Sequence, residues 1–220
     1  MKYFIYLAVL VFFVSLAYAA ETVTFSRAKN IANKHLFVGD LRVDYYCSCK
    51  YNEHKEILWD TCGYKPRLNP TRGKRLEWEH VVPAFYYTRK LPCKRRAYCE
   101  KVSPEFQRFE GDLHNLRPSV GELNADRSDK LYGVVATPRA KNYGKCQFYT
   151  TTTVAEPPDK VKGDLARITL YINKKYNIVL PYEYLKLMEK WSVDDPVDDA
   201  ERALNERIRL LQGDSNPFVK

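Results

Sequence analysis

The sequence predicts an α+β fold, a single mixed domain with more helix than strand. Three observations carry that prediction. The C-terminal third repeats apolar residues at helical spacing. A Tyr-, Val- and Ile-rich stretch in the first third reads as a β-hairpin. The chain is 45% hydrophobic and 14% aromatic, with 17 tyrosines, which supplies a core and excludes disorder, collagen and coiled coil.

The first segment is expected to be an export signal, residues 1–19. Lys2 is its one charge, Phe4 through Leu16 is apolar, and Ala17-Tyr18-Ala19 is the small-x-small pattern at which such leaders are cut. The apolar run is shorter than the roughly 20 residues a bilayer requires, and no later segment spans one. The remaining residues, 20–220, suit one exported domain with no membrane attachment.

Along the mature chain, Ser26 is the expected N-cap of a short helix running to about Lys34. Residues 43–62 form the expected hairpin, turning at Asn52-Glu53-His54-Lys55. A basic loop follows from Lys65 to Arg75, where Pro66, Pro70 and Gly73 argue against regular structure. Helices are expected over Gly163–Tyr176, with Ile168, Tyr171 and Ile172 on one face, and from Pro181 at a first helical position. A last helix over Asp198–Leu211 places Leu204, Ile208 and Leu211 on one stripe, and Gly213 stops it.

Six cysteines behind an export signal favour three disulfides, because the compartment outside the cytoplasm is oxidising. Zinc is the competing reading, but there is no C-x-x-C and no His at finger spacing from Cys47 and Cys49. Cys93 and Cys99 flank a short basic loop and are paired here. Cys47 and Cys49 are not expected to bond each other, which leaves two arrangements with Cys62 and Cys146. Cys49–Cys62 closing the hairpin, with Cys47–Cys146, is preferred.

The net charge of +9 suggests a polyanionic partner, although charge alone does not distinguish a binder from an enzyme. The chemistry concentrates in the middle of the chain. Trp78-Glu79-His80-Val81-Val82-Pro83-Ala84 sets a carboxylate beside an imidazole. Glu110-Gly111-Asp112-Leu113-His114-Asn115-Leu116-Arg117-Pro118 adds a second polar cluster, and Ser119 is a candidate cap for a helix through Asn124. Such residues divide two tasks: oxygen atoms hold a hard divalent cation, and a neutral imidazole takes a proton from water. No H-E-x-x-H, G-x-S-x-G or P-loop is present.

These stretches, with His114-Asn115-Leu116-x-Pro118 and Gly121-Glu122-x-Asn124-x-Asp126-Arg127-Ser128, resemble the endonuclease I family of exported bacterial nucleases. The similarity extends through Tyr45-Tyr46-Cys47-x-Cys49, Cys62-Gly63-Tyr64, Gly144-Lys145-Cys146, Glu156-Pro157-Pro158 and the C-terminal Gln212–Val219. The resemblance implies a ββα-metal (His-Me finger) nuclease core within the helix-rich domain. In that core His80 ends the first strand, Asp112–Leu116 forms the second, and the next helix presents Asn124.

The resemblance further implies that Glu79 and Asn124 hold one magnesium ion and that His80 is the general base. Arg96 then contacts the phosphate and Glu110 orients the histidine. The expected activity is sequence-nonspecific hydrolysis of DNA and RNA by a periplasmic or secreted monomer, with the basic loops at 65–75 and 89–101 gripping phosphates. An exported polyanion-binding protein without catalysis is the alternative. This chain lacks the C-terminal cysteine pair of many relatives and carries Asp129 where they commonly have Asn.

Overall fold

The computed structural model describes residues 23–136 and 143–220, so the leader expected over residues 1–19 lies outside the described residues. Helix α1 (Phe25–Ile31) starts at Thr24, whose side chain accepts the Arg27 N–H, and runs on into a π-helical turn, Ala32–Leu36. The cap therefore sits two residues before the expected Ser26. Ala28, Ala32 and Leu36 are buried and form its inner stripe.

Residues 43–62 depart from the expected hairpin. Isolated bridges join Val43 to Lys50 and Tyr51 to Ile57, without a continuous ladder. Asp44 is the cause: its carboxylate accepts the N–H groups of Tyr46, Cys47 and Cys49, which winds the chain into a turn that places Ser48 at φ 57°. The turn at Asn52–Lys55 does form, with Asn52 N–H donating to the Glu56 carbonyl. The basic loop also differs from expectation, since it contains a short helix, α2 (Pro70–Gly73), capped by Asn69.

Strand β1 (Leu76–His80) leads into three short helices, α3 (Ala84–Lys90), α4 (Arg96–Val102) and α5 (Pro104–Glu110). Strand β2 (Leu116–Val120) then pairs antiparallel with β1, Leu76 facing Val120 and His80 facing Leu116. The second strand thus begins where the expected Asp112–Leu116 segment ends. Asp112 accepts the His114 N–H and holds Leu113–Asn115 in a 3-10 turn instead. Ser119 belongs to β2 and donates to the Val120 carbonyl, so it does not cap α6 (Gly121–Arg127), which follows. A second small sheet, in the order β3 (Leu131–Tyr132), β5 (Val154–Glu156), β4 (Tyr149–Thr150), has a parallel and an antiparallel pair.

The C-terminal third is helical as expected: α7 (Lys162–Tyr176), α8 (Tyr182–Asp194) and α9 (Asp199–Gln212). Ile168, Tyr171 and Ile172 are buried on α7. Pro181 is the N-cap of α8, one position before the expected one. Asp198 caps α9 by accepting the Glu201 N–H at 2.7 Å, and Gly213 closes it at φ 97°, which a side chain would strain. Ile208 is buried, whereas Leu211 is exposed. Arg167 ties the three helices together, pairing with Glu201 and donating to the Ser192 and Asp195 carbonyls at the end of α8. Among the described residues no helix is long and apolar enough to cross a membrane.

The cysteines pair as Cys47–Cys146, Cys49–Cys62 and Cys93–Cys99, the preferred arrangement, with Cα separations of 5.0, 4.8 and 5.2 Å.

Candidate active site

The β1–β2 pair and α6 converge on a cleft of about 560 Å³, lined in part by Glu79, His80, Arg96, Asn124 and Arg127. Four of the five residues expected from the sequence therefore share one cavity. The fifth, Glu110, stands behind it at the end of α5 and touches two of the others.

His80 closes β1 and is 7% exposed. Its Nε2 lies 3.0 Å from the Glu110 backbone carbonyl, which only accepts, so that nitrogen carries the proton and Nδ1 keeps the lone pair. Burial, reinforced by the nearby Arg96, Arg127 and Lys29 charges, lowers the imidazole pKa to about 3, against the pull of the Glu110 hydrogen bond. The ring is therefore neutral at ordinary pH.

The turn after β1 is held by two residues that the sequence reading left without a role. Asn115 pairs with the Val82 peptide, accepting its N–H at 2.8 Å and donating to its carbonyl at 3.0 Å. Arg127, 1% exposed on α6, donates to the carbonyls of His80 and Val81. Both residues lie inside the quoted motifs. In sequence alone, however, an Arg in a helix's last turn reads as a solvated partner of the helix dipole.

Glu79 is 1% exposed. Its Oε1 accepts from the hydroxyls of Tyr46 and Tyr132 at 2.8 and 3.0 Å and lies 3.0 Å from Arg127 Nη1. Among the described residues these polar contacts all fall on Oε1, and Oε2 carries none. Burial raises the Glu79 pKa, with Arg127 and the two tyrosines opposing it.

Asn124 stands on α6, and its Nδ2 donates to Glu77 Oε2 at 3.0 Å, which orients the amide and leaves Oδ1 without that bond. Burial alone would raise the Glu77 carboxyl, but hydrogen bonds from Arg72 and Arg75 outweigh it and hold the group below its ordinary value. Glu77, unassigned from sequence, is thus a fixed anion that aims the amide.

Arg96 opens α4 and donates from Nε to Glu110 Oε1 at 2.6 Å, while its side chain remains 47% exposed. Burial pushes the Glu110 carboxyl up to about 7, despite the Arg96 charge. Cys93–Cys99 closes the loop around this arginine.

The donor set suits a hard cation: Glu79 and Asn124 each present an oxygen to the same cleft. Elsewhere among the described residues, Asp44, Cys47 and Cys49 cluster at metal-site dimensions. Both sulfurs are in disulfides and the carboxylate is taken by backbone N–H groups, so that cluster is structural.

The basic loops are less free than their sequence suggests. Arg67 is paired with Asp126, and Arg72 and Arg75 with Glu77. Glu122 accepts the N–H groups of Arg67, Leu68 and Asn69 and fixes the first loop against α6. In the second loop Lys90 donates to the Tyr176 carbonyl and Lys94 to that of Arg89.

The sequence profile described as Endonuclease I matches residues 15–220. An extracellular deoxyribonuclease of Aeromonas hydrophila is 38% identical over 213 residues, spanning 93% of this chain and 91% of that protein. A periplasmic deoxyribonuclease of the same species is 39% identical over 185 residues, 80% of this chain and 77% of the other. An extracellular ribonuclease of Bacillus subtilis (strain 168) is 33% identical over 126 residues, 49% of this chain and 43% of that protein.

Proposed function

The chain belongs to the endonuclease I family, and on that premise we propose that it is an exported nuclease hydrolysing phosphodiester bonds of DNA, and of RNA as well. The observation that carries this reading is a neutral histidine of fixed tautomer sharing one cleft with two oxygen donors and an arginine. The relatives' names, extracellular and periplasmic, support removal of residues 1–19 and an oxidising destination for the domain 20–220.

In this reading β1, β2 and α6 are a ββα-metal core. Glu79 Oε2 and Asn124 Oδ1 are the oxygens that would hold one magnesium ion. Bound there, such a cation supplies charge that offsets the negative charge developing on the phosphate and leaving oxygens. His80 Nδ1 takes the proton from the attacking water, while Glu110 keeps Nε2 protonated and the ring still. The exposed part of the Arg96 guanidinium holds a nonbridging phosphate oxygen, its Nε anchored by Glu110. The 3′ oxygen leaves, so the products end in 5′-phosphate and 3′-hydroxyl. Contacts to phosphate carry no base code, so cleavage without sequence preference is expected.

The test is digestion of plasmid DNA and of RNA by the purified mature protein, with magnesium and with EDTA, beside His80→Ala. Cleavage that requires magnesium and falls about 10²–10⁴-fold in the variant is expected. A variant cleaving within a few-fold of the parent would remove His80 from the role of base.

A further inference from the structure

One side chain of the amino-terminal helix packs on two residues that line the cleft. The Phe25 ring lies 4.8 Å from the His80 ring, centroid to centroid, and Phe109 stacks at 6.3 Å on the same imidazole, within 9° of parallel. Phe25 also carries two cations against its ring: the Arg96 guanidinium at 5.5 Å and the Lys29 ammonium at 4.3 Å. One aromatic ring therefore touches both the histidine and the arginine to which the reaction is assigned.

We propose that Phe25 is a positioning residue that sets the His80 ring plane and the Arg96 guanidinium together, so that the amino-terminal segment completes the active site. The proposal rests on the assignment of His80 as base and Arg96 as phosphate ligand.

The backbone around Phe25 is seated for this purpose from two sides. The Thr24 side chain caps the first turn of α1. The Val23 carbonyl passes so close to Gly111 that a Cβ there would lie 1.9 Å from its oxygen. Gly111 directly follows Glu110, whose carbonyl holds His80 and whose carboxylate holds Arg96. The segment that delivers Phe25 is thus docked on the residue that anchors both of its targets. Without the ring, His80 would still be held at Nε2 and against Phe109, and Arg96 at Nε by Glu110 and Glu100, but each group would lose its packing on the Phe25 side and regain part of its rotation. Reaction rates are sensitive to such freedom, because in-line proton removal requires the lone pair to face the attacking water.

The experiment compares Phe25→Leu, Phe25→Ala and Phe25→Tyr with the parent, as full mature chains, by kcat and KM on duplex DNA and by thermal unfolding. Phe25→Leu keeps most of the apolar volume and loses the ring. It is expected to unfold cooperatively, with kcat lower by about 10- to 100-fold and KM higher by about two- to fivefold from the loss of the cation–π contact to Arg96. Phe25→Tyr keeps the ring and is expected to stay within about twofold in both, where positioning rather than packing is the requirement. Phe25→Ala is expected to show the Leu phenotype or a larger one. A folded Phe25→Leu with parental kcat and KM overturns the proposal, and so does an equal loss in Leu and Tyr. His80→Ala is assayed alongside: if it cleaves like the parent, the underlying assignment has failed, which is a different outcome from an inert Phe25.

Discussion

Arg127 Nη1 stands 3.0 Å from Glu79 Oε1 with both side chains at or below 2% exposure, a buried ion pair linking α6 to β1. The same guanidinium lies 4.4 Å from the centroid of the Tyr132 ring and donates to the His80 and Val81 carbonyls. One side chain thus sets a counter-charge against the buried carboxylate and holds the His80 backbone.

Removing Arg127 leaves Glu79 buried without its counter-charge, the most damaging way to break such a pair. Arg127→Met is expected to lose about 3–5 kcal/mol of stability, measured by urea unfolding. Arg127→Lys keeps the charge without the planar fork and is expected to fall between parent and Met in stability, with cleavage still impaired. Parental stability in Arg127→Met would show the pair to be dispensable.

The two oxygen donors should respond differently to truncation. Asn124→Ala removes an amide whose hydrogen bond is to the partly buried Glu77, so it is expected to raise the magnesium concentration for half-maximal rate with little loss of fold. Glu79→Ala should raise it too, but it also takes the counter-charge from buried Arg127 and a shared acceptor from two tyrosine hydroxyls, so its melting temperature is expected to drop. A magnesium titration of Asn124→Ala that superimposes on the parent's would take this residue out of the metal site.

Two groups in the site titrate in opposite directions. His80 has a folded pKa of about 3, below its unfolded value near 6.5, so the unfolded chain takes up the proton first on acidification. Its contribution to stability is complete above about pH 6.5 and is lost as pH falls toward about 3. Glu110 has a folded pKa of about 7, above its ordinary value of 4.5, so its contribution is complete below pH 4.5 and lost as pH rises through about 7. Because His80 is already neutral, the acid limb of the rate profile is expected near pH 7, where Glu110 gains a proton and releases its ion pair with Arg96. The limb should be absent in Glu110→Gln, and an unchanged limb in that variant would assign it to another group.

Cys93–Cys99 spans Arg96, and the other two disulfides tie the segment around Asp44 to residues 62 and 146. Removing a native disulfide from a small secreted domain costs about 2–5 kcal/mol, against a total stability of about 5–15 kcal/mol. The reduced protein is therefore expected to be poorly folded and inactive in a reducing cytosol, becoming active after export. Activity before and after dithiothreitol at constant magnesium, with free thiols counted by mass spectrometry, checks this. Unchanged cleavage after verified reduction of all three bonds would count against it.

The sequence by itself determined what depends on neighbours along the chain. The periodicity of Ile168, Tyr171 and Ile172 specified α7, Asp198 and Gly213 specified the ends of α9, and the cysteine spacing led to the observed pairing. Glu79, His80, Glu110 and Asn124 were legible as candidates because the stretches that hold them resemble the endonuclease I family, and Arg96 by the same resemblance, from its place before Cys99. Tertiary structure decided the rest. Strand β2 is buried along its whole length and shows no alternation, so its start at Leu116 rather than Asp112 follows from pairing with β1. The hairpin expected at 43–62 gave way to a turn because Asp44, a residue with no periodic signature, gathers three N–H groups and also faces Val120 N–H from β2. Arg127 and Phe25 acquired roles only when burial brought α6 and α1 against β1. A buried charge must find a partner and a ring must find a surface, and which ones they find depends on long-range packing, a relation that local spacing does not encode.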